Sequence, residues 1–372
     1  MHKLQRIIGH IAQALLALTF IFSGAVKAID PLGTVYKVED YLKAFGGFMT
    51  ELMPLATAAA VLLICFECLM GIAMLLNIRT RWTAWLSLVF YLVMTPLTLW
   101  IALTNPVSDC GCFGDALVLT NWQTFYKNVV LLALVIILLL CYRQMRNCWR
   151  WQWELLAIGI ALAGVLSLMA WTHYHLPLID FRPYKIGNNL PELMEGGKAP
   201  VMDYVFVYEK DGVQREFTTD SLPSRSDGWE FVDRREVILE PGVEAPVHDF
   251  VLTRWFDGED ITDDILFSEE PVTLVVMYDI RKADIRQNER LVQLFADPDK
   301  PVYILTGSAD EDIEMLLSNL ELLSDSGTRT RIEEEAVCTA DPVMLKTIVR
   351  ANPGVFVLQN GIVTDKYNLR NR

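Results

Sequence analysis

Apolar residues crowd the first half of the chain. Five stretches, Ile7–Ala28, Pro54–Leu76, Trp82–Leu103, Phe125–Tyr142 and Leu155–Thr172, each approach the roughly 20 apolar residues that a helix needs to cross a hydrocarbon core. Trp82, Trp85, Trp100, Trp122, Trp153 and Trp171 sit near their ends, the level at which amphipathic rings settle. Beyond Thr172 the period changes. Met202–Tyr208 and Val213–Thr218, with a turn at Lys210-Asp211-Gly212, predict a β-hairpin, and Trp229–Leu239 a third strand. From Gly242 onward strands at Val272–Tyr278, Val302–Leu305 and Gly354–Leu358 alternate with helices at Ala283–Phe295, Asp310–Leu323 and Pro342–Arg350, the pattern of an α/β sheet with covering helices.

Charge divides at the same place. Residues 1–172 hold 11 Lys/Arg and 8 Asp/Glu, net +3, whereas residues 173–372 hold 21 and 38, net −17, which together give the −14 of the 372-residue chain. So acidic a half argues against nucleic acid as a partner. Lys3 and Arg6, then Arg79 and Arg81, then Arg143, Arg146 and Arg150 mark one side of the membrane, while the loop from Thr104 to Thr124 has no cation. By the positive-inside bias the amino terminus is cytoplasmic and the acidic half lies outside. The expected location is a bacterial inner membrane, with the carboxyl-terminal half in the periplasm. A cleaved leader ending near Ser23-Gly24-Ala25 is an alternative that would leave the later segments on the same sides.

The cation-free loop reads VSDCGCFGD. Cys110 and Cys112, on the oxidising side, can close only a very small ring; glycine permits the turn, and such a bridge would be labile and suited to exchange. Asp109 and Asp115 would raise the thiol pKa by like-charge repulsion, with no neighbouring cation in sequence to offset them. Three readings stay open: a redox pair, an inert turn, and a metal site completed by His173 and His175. No cofactor is expected beyond a Cys110–Cys112 disulfide. Glu67 lies mid-span, a candidate intramembrane acid or a neutral side chain hydrogen-bonded to a neighbouring helix, with Gly71 one turn on allowing close approach. Cys65 and Cys68 share its helix and read as packing groups, Cys141 and Cys148 lie at the opposite face, and Cys338 reads as a packed strand-end residue.

Two resemblances follow from these residues. The C-G-C-F-G loop, with Asn121-Trp122-Gln123-Thr124-Phe125 and Asn128 after it, resembles the DoxX-like/MauE branch of small membrane proteins, as do Phe22-Ser23-Gly24-Ala25-Val26-Lys27 and Glu67 before Gly71. Over residues 1–145 this implies a four-helix membrane bundle associated with methylamine utilisation, maturation of a disulfide-containing enzyme subunit, or membrane oxidoreductase complexes. The stretches Gly242–Phe250 and Asp257–Thr262 are similar to the entry of peroxiredoxin- and TlpA-like thioredoxin folds, and Pro353 falls at the position of their cis-proline; an ordinary trans proline at a strand start is the alternative. That fold's active cysteines are replaced here by Asp279-Ile280-Arg281-Lys282-Ala283-Asp284.

The expected architecture is therefore a membrane domain of four helices (1–145), a fifth transmembrane helix (152–173), a connector with a small β unit (174–240) and a thioredoxin-like domain without CxxC (241–372). The expected function is that of a membrane accessory protein in extracytoplasmic thiol–disulfide chemistry or protein maturation. Cys110 and Cys112 would turn over, and the outer domain would bind a periplasmic protein client beside Pro353 without exchanging disulfides itself. A non-catalytic scaffold and metal handling at the outer face are the alternatives.

Overall fold

Small residues decide how the first helices meet. In α1 (His2–Ile29) and α3 (Ala56–Leu75), a Cβ at Gly71 would lie 2.6 Å from Ile21 Cγ1, and one at Gly24 would lie 2.6 Å from Cys68 Sγ. Both positions let the backbones cross closely, as small residues do between helices in lipid. The computed structural model describes residues 2–107, 109–145, 149–198, 201–210, 212–223, 227–240, 242, 245–297, 300–324 and 336–371. Ser108, Arg146, Cys148, Asp211, Val243 and Glu244, which entered the sequence reading, lie outside the described residues.

Helices α4 (Thr80–Thr104), α5 (Asn121–Cys141) and α6 (Trp151–Tyr174) complete the membrane part. Among the described residues five helices are long and apolar enough to cross a membrane, starting at Lys3, Gly47, Thr80, Asn121 and Trp151, as expected of a multi-pass membrane protein. Phe20, Met70, Met74, Tyr91, Val135 and Leu138 form the bundle's core. The segment between the first two spans is itself helical. Asp30 caps a helix, α2 (Pro31–Phe45), accepting from Gly33 N at 3.0 Å with Pro31 in the first turn, and a 3-10 stretch at Gly47–Leu55 leads into α3.

After α6 the segment around Tyr184 packs into the α/β unit. Tyr184 is fully buried in the α/β core, and Gly187 N and Leu190 N bond to Val363 O and Gly361 O. Following α7 (Leu190–Glu195), strands β1 (Val201–Lys210), β2 (Val213–Thr218) and β3 (Glu230–Glu240) make an antiparallel sheet in the order β2-β1-β3.

The last unit contains β4 (Thr253–Arg254), α8 (Thr262–Leu266), β5 (Val272–Val276), α9 (Asn288–Leu294), β6 (Val302–Thr306), α10 (Asp310–Glu321), β7 (Val337–Thr339), α11 (Pro342–Ile348), β8 (Gly354–Gln359) and β9 (Ile362–Asn368). Its strand order is β4-β7-β6-β5-β8-β9, with β5, β6 and β7 parallel to one another. Leu274 and Val276 face one apolar layer with α8 and α11; Val275 faces the other with α9 and α10, the two-residue alternation of a covered sheet. The helix expected from Ala283 begins only at Asn288. Asp279 accepts from Lys282 N and caps a 3-10 turn at Ile280–Lys282, and a second 3-10 turn spans Ile285–Gln287. The Asn352–Pro353 bond is cis.

Candidate functional site

The thiol loop is built from its own sequence first. Asp109 Oδ1 accepts from Gly111 N at 2.8 Å, and Gly111 turns through a positive φ of 64°, which costs glycine nothing. This folds Cys112 back on Cys110, leaving their sulfurs 2.9 Å apart. The next helix then fixes the loop. Thr120 and Gln123 form a reciprocal capping box at the start of α5, and Asn121 Nδ2 reaches Asn105 Oδ1 and Val107 O, both at 3.1 Å.

The bundle supplies the surroundings. Lys27 Nζ lies 2.8 and 2.7 Å from the two carboxylate oxygens of Glu67, 2.7 Å from Ser23 Oγ and 2.9 Å from the Cys112 carbonyl. Ser23 Oγ is itself 2.7 Å from that carbonyl and 2.8 Å from Glu67 Oε2. Lys27 and Glu67 are both buried. Desolvating two ions costs several kcal/mol each, so the pair is weak evidence of stabilisation. Its geometric effect is to hold the loop backbone on the bundle. On the other side Lys37 of α2 pairs with Asp109 at 2.6 Å, Tyr41 donates to the Cys110 carbonyl at 2.7 Å, and Lys127 of α5 stands 4.3 Å from the centre of the Phe113 ring.

The contact between the sulfurs splits their acidity. The hydrogen bond between the two sulfurs lowers the Cys112 thiol to about 6, with Lys127 and Lys27 adding to the effect and burial opposing it. Cys110 is raised, first by that same hydrogen bond and then by burial. The two aspartates do not dominate, because Asp109 is engaged by Lys37 and Asp115 by Arg350. Two sulfurs this close, one of them made the more acidic, make the arrangement required to open or close a disulfide by exchange.

The α/β unit docks at this end of the bundle. Arg350, buried just beyond α11, places Nε 2.8 Å from Asp30 Oδ2 and Nη2 3.2 Å from Asp115 Oδ2, while its guanidinium lies 5.3 Å from the Tyr36 ring centre. Tyr36 also meets Tyr278 edge to face at 6.2 Å, and Lys346 stands 4.9 Å above Tyr36. A cavity of about 220 Å³ remains between the parts, reached by Lys27, Gly111, Asp115, Lys346 and Arg350. A second, of about 140 Å³ and mostly apolar, lies beneath the loop and is lined by both cysteines and by Glu67.

Residues 5–141 match the family described as Methylamine utilisation protein MauE. The thiol loop, Ser23, Lys27, Glu67 and Lys127 all fall inside the residues that match this family. Residues 202–241, which cover the three-stranded sheet, match a domain of unknown function, DUF8463. No curated protein and no solved structure matches the chain.

Of the residues singled out in sequence, Cys110, Cys112 and Glu67 of the MauE domain are brought together. Their link is the Cys112 carbonyl, not the sulfurs. His173 and His175 do not join them: the His175 ring stacks on Trp171 at 4.0 Å, and among the described residues no cluster of three or more His, Cys, Asp or Glu is placed to hold a metal. Pro353 is buried, and Arg350, three residues before it, bonds to Asp30 at the start of α2. Cys68 packs on Gly24, and Cys338 is buried in the sheet core, where desolvation raises its thiol to about 12. Sequence reasoning missed Lys27, Lys37, Tyr41, Lys127 and Arg350 as parts of the site. The Asp30-Pro31 start and apolar Val35, Val38 and Leu42 would have revealed α2 and its lysine.

Proposed function

We propose that the chain is a membrane accessory protein of extracytoplasmic thiol–disulfide chemistry, with Cys110 and Cys112 of its MauE domain as the exchanging pair. The observation that carries this reading is the pairing of two sulfurs 2.9 Å apart, one of them held as the more acidic thiol among cations. One sulfur of the pair carries the mixed disulfide with the client and the other resolves it. Ser23, Lys27 and Glu67 position the loop, and Glu67 is assigned no proton transfer. The strand order of the α/β unit supports a thioredoxin-like fold for it. Asp279 and Lys282 stand where such a fold would carry its cysteines, so the unit serves as the docking module that guides a protein client into the cavity between it and the loop. The arginines at the far end of the bundle, Arg79, Arg81, Arg143 and Arg150, support a cytoplasmic assignment for that end, a bacterial inner membrane, and a periplasmic site.

Thiol trapping in intact cells tests the proposal. Alkylation before and after reductant is expected to show a mixture of reduced and bridged Cys110/Cys112, and a Cys110→Ser variant is expected to accumulate a mixed disulfide between Cys112 and its client. A pair that stays wholly reduced, together with a Cys110→Ser variant that retains every cellular phenotype, would leave a non-catalytic scaffold as the reading.

A further inference from the structure

An exchanging pair needs a source or sink of two electrons, and the chain itself offers none at the site. Cys338 is the single cysteine beyond residue 172, and it is buried in the sheet core. Cys65 and Cys68 do not line the cavity that holds Cys110 and Cys112. That cavity lies within the helical bundle, roofed by the two cysteines and flanked by Lys127, with Leu63, Phe90 and Met94 among its apolar walls. The same three apolar residues also line a shallow, almost wholly apolar groove of about 410 Å³ between α3 and α4. Leu62, Val89 and Val93 form the groove's exposed lipid-side rim. A dry cavity of about 150 Å³ accepts a single aromatic ring, so about 140 Å³ suits one ring.

From these shared walls we infer that the cavity is the site of a prenylated quinone, its ring beneath Cys110 and Cys112 and its tail in the adjoining groove between α3 and α4. The inference rests on the redox reading above. The reaction is a two-electron oxidation. Cys112 begins as thiolate and Cys110 as thiol; as the Sγ–Sγ bond forms, two electrons pass to the ring. The quinone takes up the Cys110 proton and one proton from water, and leaves as the quinol. Lys127, beside the ring site, favours the developing negative charge on a quinone oxygen. The disulfide so formed then oxidises the dithiol of a protein client, and the cycle repeats.

The test uses the full-length protein in lipid nanodiscs, reduced, freed of reductant and kept anaerobic, with a decyl-substituted benzoquinone as probe. One quinol is expected per Cys110–Cys112 pair closed, followed by quinol absorbance and by loss of maleimide labelling. Met94→Trp, which fills the cavity, displaces the ring by more than about 1 Å and is expected to slow quinone reduction roughly a hundredfold. Oxidation of the same variant by the water-soluble oxidant diamide is expected to match the parent protein. Independently, the decyl quinol is expected to protect Cys112 of the unaltered protein from maleimide. Equal quinone rates in the two proteins, or no protection, would overturn the quinone site. A pair that diamide closes and quinone does not would overturn it too, while leaving the exchange reading intact. A pair that diamide fails to close in the unaltered protein would remove both.

Discussion

The two halves of the molecule treat sulfur in opposite ways. In the α/β unit Cys338 lies among Leu305, Leu345 and Phe356, and burial pushes its thiol up to about 12. In the bundle Cys112 is half-buried, and its thiol is pulled down to about 6, first by the hydrogen bond with Cys110. Burial alone therefore does not set thiol chemistry; the charges and donors enclosed with the sulfur do. The bundle encloses Lys27, Lys37 and Lys127 around its pair, whereas the sheet presents hydrocarbon. The same contrast separates Cys110-Gly-Cys112 from Cys65 and Cys68, which carry the more familiar CxxC spacing and of which Cys68 packs against Gly24 of α1.

Lys27→Met should break this contrast most severely. It strands the Glu67 carboxylate in the bundle and removes a support of the Cys112 carbonyl, and leaving one partner of a buried pair costs about 3–5 kcal/mol. Thermal unfolding in detergent should show the loss, and a Lys27→Met, Glu67→Gln double variant should recover most of the stability. If the single variant unfolds with the parent protein, the pair does not anchor the loop.

Arg350→Ala should act next in size. It leaves Asp30 and Asp115 without the guanidinium that joins the α/β unit to the bundle. The loss of charged hydrogen bonds amounts to about 2 kcal/mol, reduced at Asp115 by its partial exposure. Amide exchange in α2 and α11 should accelerate together, with no change in the sheet core. Exchange that stays slow in both helices would show that the docking is held by other contacts.

The smallest effect is the sharpest comparison of the two thiols. The thiolate is the alkylating form, so the maleimide rate at Cys112 should be full above its folded value of about 6 and fall as pH drops through it. Lys127→Met removes a cation that favours the thiolate, so the midpoint should move to higher pH. Cys338 should stay unreactive throughout the neutral range in folded protein. A Cys112 midpoint at the ordinary cysteine value of about 8.5 would mean that the cations do not act on it.

Much of the chain was legible in one dimension. Apolar runs long enough to span a bilayer gave the five helices, because hydrocarbon demands length and apolarity and asks little of partner identity. The strand at Val272 and the helix at Asp310 followed from period alone. Helix α2 was obscured because its charges alternate in sign and its apolar stripe is short, so it reads as a loop unless the Asp30-Pro31 cap is given full weight. The place of Tyr184 in the α/β core was not legible, because a mixture of proline, aromatic and basic residues carries no period.

By itself the sequence determined which residues are apolar enough to enter lipid, that Gly111 brings Cys110 and Cys112 together, and that the α/β unit carries a single cysteine. These properties are local: each depends on composition or on a spacing of a few residues. The acidity of Cys112, the pairing of Lys27 with Glu67 across 40 positions, and the reach of Arg350 to Asp30 and Asp115 were decided by the tertiary structure. Electrostatic interactions depend on distance in space and on the water excluded between charges, and neither is written in the order of residues along the chain.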